Sequence, residues 1–251
     1  MEKRLRVRDK ILLSLAIAAD FKDEFFPSYP VLLRTLRATS FPEYKYINYS
    51  RQINRMLTSG SIEKIIKDGK PYLRMSNKGK NALIRDFPLL AWQNKPWDKH
   101  WRIVFYDIDE ISRKTREQLR AKLLNLGFGM LQRSVYISPF PVAEDMREFI
   151  LLHRLDKHVF VSVSRRLYAG DEKELARRVW KLNQLNKEYQ KLLDWRKEAQ
   201  SKERSDQEKI KQKIKSFYLE LLVTDPFLPE ELLPTDWVGD KTRKIVKSIW
   251  K

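Results

Sequence analysis

The spacing of apolar residues over the first ninety positions predicts helix, helix, helix, hairpin, helix. A basic stretch from Lys3 to Lys10 leads into the apolar run Ile11–Ala19, read as an amphipathic first helix over Asp9–Phe21 rather than a leader. A second helix is expected over Tyr29–Ala38, beside Pro27 and Pro30. A third follows Asn48 and Ser50, with Ser50 as N-cap and Gly60 as the stop. Ile62–Ile66 and Tyr72–Met75 then flank Asp68-Gly69, a dipeptide suited to a tight hairpin turn. A capped helix begins near Ser76. This order of elements is that of a winged helix-turn-helix.

The pattern changes after the loop Trp92–Trp97. His100–Ile108 alternates and is rich in β-branched and aromatic residues, so a strand is expected. Ser112–Leu126 is a helix with Leu119, Leu123 and Leu126 on one face and Arg113, Arg116 and Arg120 on the other. Gly127-Phe128-Gly129 ends it, Leu131–Ile137 is a second strand, 143–154 a helix and Val159–Val163 a third strand. A fourth strand would pair later or come from a partner, giving a split βαβ, ferredoxin-like unit of βαββαβ type. From Asp171 the chain reads as helical to Ala199 and again over Gln207–Val223, with Lys197–Lys215 strongly polar. Pro226, Pro229 and Pro234 make 225–237 irregular before a last helix at Lys241–Trp250. The expected class is α+β, divided into 1–91 (winged helix-turn-helix), 92–170 (ferredoxin-like) and 171–251 (helical tail).

Charge changes what this architecture is for. Fifty-one basic and 33 acidic side chains leave a formal net of +18, which points to nucleic acid or an anionic surface. Half of the excess, +9, sits in residues 1–90. In the third helix Ile53, Met56 and Leu57 share one side, and Arg51, Asn54, Arg55 and Thr58 share the other, with Gln52 beside them. Arg and Asn can bridge guanine and adenine edges bidentately, and cations neutralise phosphates. Lys67 and Lys70 flank the hairpin tip, where they would touch backbone. A solvated polar face explains the helix alone, but not the helix, hairpin, capped fourth helix and charge together. For the basic face of helix 112–126, a solvated surface and an anion site weigh equally.

Other chemistry is sparse. The absence of cysteine excludes disulfides, thiolate zinc sites and cysteine nucleophiles, and suits a cytoplasmic setting. No run approaches the ~18 apolar residues that span a bilayer. His100, His153 and His158 lack ligand spacing, and no cofactor is expected. Asp107, Asp109 and Glu110 close the first strand of the second unit. Such carboxylates can hold Mg²⁺ for phosphodiester cleavage, but more often cap a turn or helix.

Two resemblances bear on the choice. Trp101-Arg102-Ile103-Val104-Phe105-Tyr106-Asp107-Ile108, with Gly127 through Tyr136, resembles the small CRISPR-associated adaptation endonuclease subunit. In that family a Tyr-Asp-Ile strand and a Gln-x-Ser-Val-aromatic strand lie on a ferredoxin-like dimer. A wider resemblance takes in Ala176-Arg177-Arg178-Val179-Trp180, Tyr189 and the run from Asp225 through Pro229, Pro234 and Trp237 to Gly239. It is similar to the phenylacetate-degradation repressor family (PaaX-like). That resemblance implies a homodimeric repressor of double-stranded DNA, relieved by an acyl-coenzyme A effector, with no catalytic or metal residues. The alternative is a metal-dependent nuclease or adaptation-type structural subunit, in which Asp107 would be both the catalytic and the metal-binding residue.

Overall fold

The computed structural model describes residues 5–18, 46–67, 70–107, 112–165 and 170–250. The expected second helix Tyr29–Ala38, the turn Asp68-Gly69, and Asp109 with Glu110 lie outside the described residues. The chain forms two compact units. One comprises Met1–Asp86, Asn186–Thr224 and Val238–Lys251, and the other Phe87–Leu185 and Asp225–Trp237.

The first unit is built around helix Val7–Ala18. The expected amphipathic helix is not amphipathic: every residue from Asp9 to Ile17 is buried. A helix buried on all sides needs apolar cover all round. Cover comes from helices Tyr46–Thr58, Asn77–Asp86, Arg204–Leu222 and Gly239–Trp250 and from strand Lys70–Met75. The buried carboxylate of Asp9 accepts from the Arg6 backbone N–H at 3.1 Å and from Arg8 Nε at 3.2 Å, and Arg8 also pairs with Asp86. Helix Arg204–Leu222 places Lys215 inside, where burial pulls its ammonium pKa down to about 8. Helix Gly239–Trp250 is tied to helix Leu182–Gln200 by Arg243, which donates to the Tyr189 hydroxyl at 3.2 Å. The Asn186 side chain accepts from the Val238 N–H at 2.8 Å.

In the second unit four antiparallel strands form one sheet: Trp101–Tyr106, Gly129–Gln132, Val135–Ser138 and Val159–Ser164. Numbered in chain order, they lie 2-3-1-4 across it. The expected single strand Leu131–Ile137 is two, turning at Arg133-Ser134 with a bulge between Met130 and Gln132. Ser134 is the one turn-favouring residue in that turn, a weak signal without Gly, Asn or Pro beside it. The fourth strand is therefore internal to the chain. Helices Arg113–Asn125 and Ala143–Leu152 bury Leu119, Leu123, Met146 and Ile150.

Ladder partners share a face, so Trp101, Ile103 and Phe105 lie on the opposite side from Arg102, Val104 and Tyr106. At one end of the first of these faces Trp101 is fully buried. It meets Trp97 edge-on at 5.2 Å, stacks on Trp180 at 6.3 Å and donates from Nε1 to Glu172 at 3.2 Å. Gly129 allows this packing, since a Cβ there would stand 2.2 Å from Val179 and 2.8 Å from the Trp180 ring. The expected continuous helix from Asp171 to Ala199 is broken for the same reason. It ends at Val179, and Lys181 takes a φ of +51° before helix Leu182–Gln200. The Pro-rich segment is irregular as expected and belongs to this unit, with Asp225 accepting from the Phe227 N–H at 2.7 Å.

Val246 is buried on helix Gly239–Trp250, far along the chain from helix Tyr46–Thr58. A charge at that position should destabilise the first unit by more than about 3 kcal/mol. Val246→Asp is expected to accelerate amide hydrogen exchange in both 7–18 and 46–58. Undisturbed protection in those two helices would show that the C-terminal helix is not part of their support.

Candidate nucleic-acid interface

Helix Tyr46–Thr58 is held from one side, where Tyr49, Ile53 and Met56 are buried. Ser50 does not cap it. The helix already runs at Tyr46, and the Ser50 hydroxyl is buried with no hydrogen-bond partner among the described residues. Aromatic and β-branched residues rank low as helix formers, so the turn Tyr46-Ile47-Asn48-Tyr49 hid the boundary. The opposite end is as expected. Gly60 takes φ +70°, its N–H reaches Leu57 O at 3.0 Å, and the Ser61 N–H reaches Met56 O at 2.9 Å.

The structure brings four of the expected DNA-reading residues together on the solvent side. Arg51, Asn54, Arg55 and Thr58 are all exposed, and Gln52 is half-buried at the margin. At 1.5 Å per residue the row from 51 to 58 extends roughly 10 Å along the helix. Strands Ile62–Lys67 and Lys70–Met75 form a six-pair ladder whose last pair before the turn is Lys67 with Lys70. That ladder places the two lysine backbones at the hairpin tip.

The relation of hairpin to helix is set at its base. Ser76 Oγ donates to Gly60 O at 2.5 Å and accepts from the Gly79 N–H at 3.0 Å, so one hydroxyl caps helix Asn77–Asp86 and ties it to the end of helix Tyr46–Thr58. The Ser76 N–H reaches Ser61 O at 3.2 Å. A Cβ on Gly79 would fall 2.0 Å from Ser61 O, so only glycine permits that approach. The exposed cations Lys64, Lys78 and Lys80 belong to the same assembly. The sequence reading passed over them, and the only signal was their place in the basic excess of residues 1–90.

Asp107 belongs to the second unit, exposed at the end of strand Trp101–Tyr106, with its N–H donating to His158 O at 3.2 Å. Among the described residues no group of three or more His, Asp or Glu side chains is placed to hold a metal ion. Of the histidines, His100 contacts the Asp98 carbonyl and Arg165, and His153 packs on Phe149. At the other end of strand Trp101–Tyr106, Arg102 is buried. It donates to both Asp98 oxygens at 2.7 and 2.5 Å and to His100 O at 2.9 Å, which holds the Asp98 carboxyl below its usual pKa.

Residues 94–176 match the family model described as the PaaX protein central Cas2-like domain, and residues 180–251 match the PaaX-like protein C-terminal domain. The chain belongs to the PaaX-like family, with a Cas2-like middle domain. It is 24% identical over 194 residues to the transcriptional repressor PaaX of Escherichia coli strain K12, which covers 72% of this chain. The aligned part is 61% of that relative's length. Among solved structures it is similar to the uncharacterised protein Rv0674 of Mycobacterium tuberculosis, with a TM-score of 0.60 at 20% identity. That match covers 96% of this chain and 92% of the other, and shows the fold alone. No described helix is long and apolar enough to cross a membrane.

If the outward row reads base edges, its removal should relax sequence preference. Arg55→Ala is expected to weaken binding to a duplex selected by the wild-type chain by ~1–3 kcal/mol, with a smaller loss on unrelated sequence. Fluorescence anisotropy on the two duplexes measures this. Equal affinity of variant and wild type on both would remove Arg55 from the interface.

Proposed function

We infer that this protein is a dimeric, duplex-DNA-binding transcriptional regulator of the repressor type. In this reading residues 1–91 act as a winged helix-turn-helix, 92–170 as a ferredoxin-like dimerisation module and 171–251 as a helical tail. The carrying observation is the row Arg51, Asn54, Arg55 and Thr58, exposed on a helix whose other side is locked into a core. Such a row, beside a lysine-flanked hairpin in a strongly basic chain, suits a major groove with backbone contacts next to it. The similarity to a named transcriptional repressor supports the same conclusion.

The dimer is supported by the open half of the sheet. Beyond the part covered by Trp180, Phe105 and Phe160 stack at 5.3 Å while 43% and 48% exposed. Half-buried Ile103 and Val135 flank them. An exposed aromatic pair with apolar neighbours suits the centre of an interface between copies, and the exposed Ser162 and Gln132 on the same face suit its polar rim. Two winged helices carried by such a dimer would meet a pseudo-palindromic site. Control by an acyl-coenzyme A ligand belongs to the same reading on the strength of the family resemblance, and Asp107 is then a strand-end residue and not a nuclease carboxylate.

One titration tests these parts together, with the duplex upstream of the protein's own gene, in Mg²⁺, with and without acyl-coenzyme A compounds. Two chains should bind per site, the duplex should stay intact, and an effector should lower affinity. Cleavage lost in Asp107→Ala promotes the nuclease alternative, and indifference to every acyl-coenzyme A removes that class of effector. Separately, Phe105→Glu should halve the mass seen by light scattering at micromolar concentration and weaken binding to a two-half-site duplex. A wild-type monomer, with or without DNA, rules out the dimer.

A further inference from the structure

Helix Arg113–Asn125 carries Arg113, Lys114, Arg116, Arg120 and Lys122 against one carboxylate, Glu117. The other helix of the same sheet, Ala143–Leu152, has the opposite balance, with Glu144, Asp145 and Glu148 against Arg147. Of these two helices, only Arg113–Asn125 carries a net positive charge. Arg113, Arg116 and Arg120 follow one another at i, i+3 and i+7, which sets them in a stripe about 10 Å long along one flank. The stripe runs against local electrostatics. Cations are disfavoured in a helix's first turn, where this one has Arg113 and Lys114 and no acidic residue. Helices Ala143–Leu152 and Glu172–Val179 both open with two carboxylates.

Tyr106 is buried at the end of strand Trp101–Tyr106, where burial and Tyr136 push its phenol up to about 12 and Arg120 and Arg116, within electrostatic reach, pull the other way. The Tyr106 hydroxyl donates to Arg133 O at 3.5 Å, so the turn bearing the exposed Arg133 stands at the same end of the sheet. The carboxylates here are Glu117, paired with Arg113 at 3.2 Å, and Asp107, while Asp109 and Glu110 lie outside the described residues. Guanidinium groups suit phosphate because their planar fork gives two parallel hydrogen bonds.

We propose that the Arg113, Arg116 and Arg120 stripe, with Arg133 beside it, is a second duplex-DNA surface that grips backbone phosphates without reading bases. This rests on the duplex-binding reading above and adds a contact from the other unit. The surface raises affinity on all sequences alike and leaves the choice of site to helix Tyr46–Thr58.

The full chain and a triple variant, Arg113→Ala, Arg116→Ala and Arg120→Ala, are titrated against selected and unrelated duplexes over a range of salt. The triple variant should lose roughly tenfold in affinity near physiological salt on both, and the slope of log K against log salt should fall by about 2 to 3. Its ratio of selected to unrelated affinity should stay that of wild type. Glu117→Lys, which adds a cation to an exposed position, should tighten binding to both duplexes, a gain that misfolding does not produce. Unchanged affinity and slope in the triple variant, with no gain in Glu117→Lys, overturns the proposal while the helix Tyr46–Thr58 reading survives. Loss confined to the selected duplex also overturns it. Wild-type protein that binds no duplex at all removes both readings together.

Discussion

The constraint on which the first unit depends is the burial of helix Val7–Ala18 on every side. Its apolar residues leave no stripe to turn toward water, so the chain must bring cover from several directions. Two of the covering helices, Tyr46–Thr58 and Asn77–Asp86, are near in sequence. The other two, Arg204–Leu222 and Gly239–Trp250, come from the far end of the chain. Stability of the helix that presents Arg51, Asn54 and Arg55 is thereby linked to residues almost two hundred positions away. Segments of the two units alternate along the chain, with 225–237 set between helices of the other unit.

The second unit is organised by a comparable need at Trp101. Its ring meets Trp97 edge-on and stacks on Trp180, and its indole N–H is satisfied by Glu172. Gly129 has no side chain, so helix Glu172–Val179 can close on that end of the sheet. The rest of this face stays open, and Phe105 and Phe160 stand on it. One face of the sheet is thus split between an internal contact and an exposed aromatic pair.

Sequence reading reached much of this where signals are local. The alternation of Trp101–Tyr106 showed a strand, and the leucines at 119, 123 and 126 showed which side of their helix is buried. Gly60 and Ser76 marked helix ends because a positive φ and a free hydroxyl serve those places directly. The row Arg51, Asn54, Arg55 and Thr58 was legible because a 3.6-residue period separates it from Ile53 and Met56. Ser50 was misplaced because a buried Tyr49 outweighs the low helix propensity of its neighbours. The strand break at Arg133-Ser134 is hidden in the sequence because a lone Ser is a weak turn signal within an apolar run.

Local periodicity, capping and charge depend on neighbours within a few residues, and by themselves they determined the class, most elements and the outward-facing row. Which elements share a core depends on partners distant in sequence. Only the tertiary structure could decide that helix Val7–Ala18 is buried all round and that the C-terminal helices complete its unit. It alone decided that Gly129 admits Val179 and Trp180, and that the arginine stripe shares one end of a sheet with Arg133. Burial and juxtaposition are properties of the packed chain, and no residue's own neighbours encode them.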